Sequence, residues 1–239
     1  MTEDVFPVAL AALWGACAGA VLPRAAYRFT VPEGEPWRSH CPNGHALKGW
    51  LGPRPCATCT PATPIRLSVL TAAVCAALAL AAGTRPEAAV WLLLAPAAVL
   101  LAAVDLRVRR LPDPLTLPLA AATLTLLALA ALLPEHAGHW LTALYGALAL
   151  GAGYLALHLL NPSGLGFGDV KLAPALGAAL AWYGWPTLLL GTFASFTLGA
   201  LYGLTLVVLR RADRKSTIPF GPFLLAGTFL GVLAGAYVA

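Results

Sequence analysis

Three aspartates in this sequence stand at the borders of long apolar runs, where an acid needs a reason to be. Asp105 closes the run "LLAAVDLRVRR", Asp113 lies in "LPDPLTLPLAA", and Asp169 lies in "LGFGDVKLAPALGAAL". Each borders a long apolar stretch, and an acid facing lipid costs roughly 3 kcal/mol, so these side chains are expected to face a protein interior or a wet cavity. The other acids, Glu3, Asp4, Glu33, Glu35, Glu87, Glu135 and Asp213, fall in loops or tails and read as solvated surface charge.

Local context sorts the three. Asp113 directly precedes Pro114 and an apolar run, the position of an N-cap carboxylate followed by a proline suited to the first helical turn. Asp105 sits at the C-terminal end of its run, where the helix dipole disfavours an anion. A salt bridge to Arg107, Arg109 or Arg110 is the structural alternative there. Asp169 precedes a run, where the dipole favours the ionised form; capping is its structural alternative. Gly166 and Gly168 before it permit unusual backbone angles and close approach by another helix or an extended peptide. Two acids biased in opposite directions suit a pair that activates water, one as base and one as acid, titrating as a unit.

A second constellation is Cys41, His45, Cys56 and Cys59, in "CPNGH" and "CATC". Three thiols and an imidazole in two short clusters form a Cys3His set able to bind zinc tetrahedrally. A loop of free thiols is the alternative. Cys17 and Cys75 fall inside apolar runs and read as small packing residues.

The elements that must position these groups follow from composition. The chain has 239 residues, 59% hydrophobic and 10% charged, against about a quarter charged in soluble domains. Its apolar runs are mostly about 17–25 residues long, enough to cross ~30 Å of hydrocarbon as a helix. Spans are expected near 5–22, 66–83, 87–104, 115–133, 140–160, 171–183, 185–209 and 219–238. The sixth is short, and seven spans are the alternative. The fold class is therefore all-α, a polytopic membrane helical bundle with a first transmembrane helix (1–22), a cytoplasmic loop (23–65) and a bundle (66–239). The first run lacks a small-residue cleavage site and reads as retained. The runs are too continuously apolar for barrel strands.

The net charge of +5 does not point to nucleic acid, because with eight spans all but one of the basic residues fall on one side. Arg24, Arg28, Arg38, Lys48, Arg54, Arg66, Arg107, Arg109, Arg110, Lys171, Arg210, Arg211, Arg214 and Lys215 share that side, and Arg85 is the exception. The positive-inside rule makes it cytoplasmic, with both termini outside. Trp91, Trp140, Trp182 and Trp185 then gather at the outer helix ends, where indoles favour the headgroup level.

"DLRVRRLPDPLTLPL", "GLGFGDVKL" and "IPFGPFLLAG" at 218–227, in this order and at span ends, resemble the signature of the type IV prepilin peptidases, intramembrane aspartyl peptidases of the Gly-x-Gly-Asp class. The resemblance implies that Asp105 and Asp169 are the catalytic pair; beside them, Gly166, Gly168, Lys171 and Asp113 are expected to be substrate-binding positions. It implies a bacterial inner-membrane enzyme that removes the short basic leader of prepilins or pseudopilins after a glycine at the cytoplasmic face. Its partners would be those precursors and the lipid bilayer, with no nucleic acid. Family members often also methylate the new N-terminus with S-adenosylmethionine, an activity associated with the loop after the first span. There the family carries two CxxC pairs, and this chain departs from them. Gly44 stands where the second cysteine is expected, and His45 is the substitute ligand ahead of His40. The rival reading is a secondary transporter with intramembrane aspartates as proton or sodium sites. It would place its acids near the bilayer midplane, and no inverted repeat is visible.

Overall fold

A computed structural model describes residues 2–56, 58–59, 65–162, 164–210 and 218–239, with residues 2–4 as backbone only. Arg211, Asp213, Arg214 and Lys215 of the sequence reading lie outside the described residues. Among those residues the chain forms eight helices and no strand: α1 (Thr2–Phe29), α2 (Ile65–Ala82), α3 (Pro86–Val108), α4 (Asp113–Ala130), α5 (Trp140–Leu160), α6 (Phe167–Ala181), α7 (Trp185–Val208) and α8 (Gly221–Val238).

Seven of the eight are long and apolar enough to cross a membrane; α6, with 15 residues, is not among them. It nevertheless runs the depth of α5. At one end the His139 N–H donates to the Trp182 carbonyl (3.1 Å), and at the other the His158 ring meets the Leu165 carbonyl (2.8 Å). Ten residues of α6 are buried, and it packs against α4, α5, α7 and α8. An enclosed helix is surrounded by protein, so its length need not match the hydrocarbon thickness. Small residues allow the approach: a Cβ on Gly177 would fall 2.9 Å from the Leu150 Cβ and overlap the Gly146 backbone.

The first helix outlasts its apolar run, continuing to Phe29 past Pro23. Leu22, Ala25, Ala26 and Phe29, at helical spacing, are buried against Val99, Leu100 and Val104 of α3. That seam keeps the helix going where hydropathy alone would end it. Its two arginines hold the loop. Arg24 donates to the carbonyls of Lys48 (2.7 Å) and Leu51 (3.1 Å), and Arg28 donates to that of Gly49 (2.7 Å) while stacking on Trp50 (4.0 Å).

Packing at the far end of the bundle encloses groups that the sequence left open. Trp91 and Trp182 are buried, at 4% and 1% exposure, so their rings face the protein core and not lipid, and Trp91 donates to the Tyr183 hydroxyl (2.9 Å). Glu87 is no surface charge either, being fully buried. It lies in the first turn of α3, where the helix dipole favours an acid, and its Oε1 accepts the Ala137 N–H (3.2 Å) from the α4–α5 connection.

Candidate active site

Four helix ends converge on the aspartates. Asp105 lies in the last turn of α3 on the buried stripe of Leu101 and Val104, and is itself only 4% exposed. The helix stops at Arg109, which takes a left-handed backbone (φ 52°) and donates its N–H to the Asp105 carbonyl (2.8 Å). Leu111 and Pro112 then lead into α4, while α8 begins alongside at Gly221. The Gly221 N–H, one of the donors a helix start leaves unpaired, reaches Asp105 Oδ2 at 3.0 Å.

This contact revises the electrostatic reading of Asp105. Its own helix presents a C-terminus, but its carboxylate accepts a bond from the N-terminus of another helix, where an anion is favoured. The salt bridge weighed for it gives way to a main-chain donor; Arg110 turns to the Pro32 carbonyl (2.8 Å) and stacks on Trp37 (4.3 Å).

Asp169 is 6% exposed and belongs to the first turn of α6, which starts at Phe167, four residues before the expected start at 171. It is not the cap. Gly166 occupies the N-cap position with an ordinary φ of −66° and accepts the Asp169 N–H (3.1 Å). Neither Gly166 nor Gly168 has a positive φ, so close approach is what these glycines supply. A Cβ on Gly166 would lie 3.3 Å from Asp169 Oδ2, one on Gly168 3.1 Å from the Leu111 Cβ, and one on Gly221 2.8 Å from Asp105 Oδ2. Asp105 and Asp169 thus each lie over a bare glycine, with buried Leu111 beside both Gly168 and Gly221, and Asp169 lies within reach of the Asp105 charge.

Asp113 does not cap α4. Pro112 holds the N-cap position without a side-chain bond, and the Asp113 carboxylate takes the Lys171 ammonium on both oxygens, at 2.7 and 2.8 Å. A cation at the start of α6 outcompetes the N–H groups of the acid's own helix. Lys171 also lies 4.9 Å from the Phe167 ring. Sequence reasoning brought Gly166, Gly168, Lys171 and Asp113 together and missed Gly221, Leu111 and His158. Gly221 stood within a quoted motif, "IPFGPFLLAG", and its pairing with Asp105 was the missing inference.

The cysteine loop forms a compact second site. Cys41 Sγ, a ring nitrogen of His45, Cys56 Sγ and Cys59 Sγ all lie within 4.8 Å of one another. Individual separations are 3.4 Å for Cys41–His45, 3.0 Å for His45–Cys59 and 3.8 Å for Cys41–Cys59. Donors ~2.1–2.3 Å from a tetrahedral ion stand about 3.5–3.8 Å apart, so the group could hold a metal. Gly44, in place of a cysteine, adopts φ +80°, a conformation that favours glycine. The turn returns the chain so that the Cys41 N–H meets the His45 carbonyl (3.0 Å). Hydrogen bonds from the Thr58 hydroxyl and backbone bring the Cys56 thiol down to about 6, whereas burial pushes Cys41 up.

The fold and site together define a multi-pass membrane helical bundle with a buried pair of carboxylates at one end and a thiol-imidazole cluster on a loop beside it. The chain belongs to the type IV leader peptidase family, whose signature it matches over residues 92–204. It is 31% identical over 237 residues to a Pseudomonas aeruginosa protein named prepilin leader peptidase/N-methyltransferase, covering 89% of this chain and 75% of that one. A Burkholderia pseudomallei protein of the same name is 33% identical over 232 residues, covering 88% and 70%. An Aeromonas salmonicida one is 38% identical over 145 residues, covering 60% and 48%; the chain thus spans about half the length of that relative. No solved structure matches the chain. Apolar helices and family together indicate a multi-pass inner-membrane protein.

Proposed function

We propose that this chain is an aspartyl endopeptidase that removes the leader of prepilin-type precursors, with Asp105 and Asp169 as its catalytic pair. The observation that carries this reading is the convergence of two buried carboxylates from α3 and α6, each seated against a glycine. Two such acids hold one proton between them. One carboxylate takes a proton from water as its oxygen attacks the scissile carbonyl carbon. When the C–N bond breaks, the other carboxyl gives its proton to the leaving amine, and the pair is again singly protonated. Low dielectric around the pair strengthens the field acting on the tetrahedral intermediate.

The substrate meets the pair at the cytoplasmic face, and both chain termini lie outside. Supporting this, the loop carrying Arg38 and Lys48, held by Arg28 at the end of α1, packs at the aspartate end, where Arg110 donates to its Pro32 carbonyl. Arg85 donates at the opposite end to the Ala236 carbonyl. Gly166 and Gly168 leave room for an extended backbone beside Asp169, while Asp113 and Lys171 form the rim. The acids sit at helix ends and not at mid-depth, which favours a peptidase over an ion-coupled transporter.

Cys41, His45, Cys56 and Cys59 hold one zinc ion. A closed Cys3His set supplies structural cross-linking and leaves no open position for substrate.

The test is cleavage of a recombinant prepilin-type precursor by purified protein in detergent, with no ion gradient. Asp105→Asn and Asp169→Asn should each abolish cleavage while inserting and folding normally, since an amide can neither take the proton from water nor share one. Substantial cleavage by either variant removes that residue from the mechanism, and ion flux without cleavage by wild-type protein restores the transporter reading.

A further inference from the structure

His158 is absent from every motif quoted above, yet it contacts the chain at the entry to the Gly-x-Gly-Asp turn. The buried face of α5 runs through Ala143, Gly146, Ala147, Leu150 and Tyr154. One further helical step puts a half-buried imidazole at position 158, beside the start of α6. There His158 Nδ1 lies 2.8 Å from the Leu165 carbonyl oxygen. A carbonyl can only accept, so Nδ1 carries the proton, as it does in the cation and in one of the two neutral tautomers.

The peptide unit held this way is the one joining Leu165 to Gly166. Its orientation governs the position of Gly166, whose carbonyl accepts the Asp169 N–H (3.1 Å) and whose α-carbon lies beneath Asp169 Oδ2. Gly166 has no side chain to restrain it, and glycine has the widest backbone freedom of any residue. The imidazole supplies the missing restraint. Its ring also packs on Phe167, centroids 5.4 Å apart, and Phe167 in turn lies against Lys171, which is paired with Asp113. The turn is braced from α5 on one side and from α4 on the other.

We propose that His158 is a positioning residue for the reaction, setting the Asp169 carboxylate through a hydrogen bond from Nδ1–H to the Leu165–Gly166 peptide. This rests on the peptidase reading. The role is distinct from ring packing, and the side chains available separate the two. Asparagine places an amide N–H donor close to the position of imidazole Nδ1 but has no ring. Phenylalanine keeps the ring against Phe167 and has no donor.

The experiment compares wild type, His158→Asn, His158→Phe and Asp169→Asn in steady-state cleavage of a prepilin-type precursor. A displacement of ~1 Å at a reacting group lowers rate by about a hundredfold, so His158→Phe should reduce kcat about 10- to 100-fold with KM within about twofold. His158→Asn should recover most of that loss. A His158→Phe enzyme with wild-type kcat, or one outperforming His158→Asn, overturns the proposal and leaves the ring as packing. Nitrogen-15 NMR of labelled protein in bilayers provides a readout that does not depend on activity. The signal lost in His158→Asn should be that of a protonated Nδ1, and an unprotonated Nδ1 there overturns the bond. Should wild-type protein fail to cleave any precursor, the peptidase reading falls while the tautomer still decides whether His158 restrains the turn.

Discussion

Substituting Gly221 by alanine should separate activity from stability. A Cβ at that position would lie 2.8 Å from Asp105 Oδ2, 3.2 Å from its Cγ and 3.2 Å from Leu111 Cδ2. Ordinary contact begins near 3.4 Å, so the carboxylate must retreat by about 0.6 Å, and the 3.0 Å bond from the Gly221 N–H passes beyond ~3.5 Å, where it no longer counts as one. A hydrogen bond to a charged group contributes about 1.5–3 kcal/mol, which corresponds to roughly 10- to 150-fold in rate if the pair works only with Asp105 in place. The backbone has no objection. Gly221 does not have a positive φ, it opens α8, and alanine is the better helix former by about 1 kcal/mol. The expected result is kcat lowered about 10- to 100-fold, KM nearly unchanged, and thermal stability equal to or above wild type. The assay is precursor cleavage at saturating substrate beside a thermal melt in the same detergent. Cleavage within twofold of wild type would refute the claim that the Gly221 N–H holds Asp105 in its working position; lost activity with lost folding would refute the claim that the effect is local.

Asp113→Asn breaks a half-exposed ion pair with Lys171, so stability should fall by no more than ~1 kcal/mol. Cleavage should stay within severalfold of wild type; loss as complete as in Asp105→Asn would give Asp113 a direct role. Cys59→Ser should lose about one equivalent of bound zinc by elemental analysis and loosen the loop while leaving slow cleavage, because the thiols belong to a separate cluster from the aspartates; a metal-free wild type prepared without chelator would discard the site. Glu87→Ala leaves the Ala137 N–H without its acceptor and should lower thermal stability by about 1–3 kcal/mol, whereas Glu87→Gln keeps an acceptor oxygen and should recover most of that loss; equal melts for the two variants would show that Oε1 is not what Ala137 needs.

Hydropathy by itself determined a great deal here. Residues continuously apolar over bilayer-crossing lengths can satisfy their backbone only as helices, so the bundle, its approximate spans and the loop between the first two were all legible. Asp105 and Asp169 were legible as well, because an acid at an apolar boundary is rare enough to stand out. The cluster of three thiols and one imidazole was marked by its short spacings. Sequence could not say what an acid touches once the helices pack. Asp105 was read from the dipole of its own helix, while its partner, the Gly221 N–H, arrives from 116 residues away. Asp113 was read as a cap because its nearest donors in sequence are the N–H groups of α4, yet the ammonium of Lys171, 58 residues on, stands closer in space. Glu87, in the first turn of α3, looked solvated because nothing near it in sequence could reveal that the α4–α5 connection would cover it. Periodicity and propensity act along one helix, whereas hydrogen-bond partners and burial depend on which helix ends meet. Tertiary packing alone sets that, and in this chain it set the surroundings of Glu87, Asp105 and Asp169.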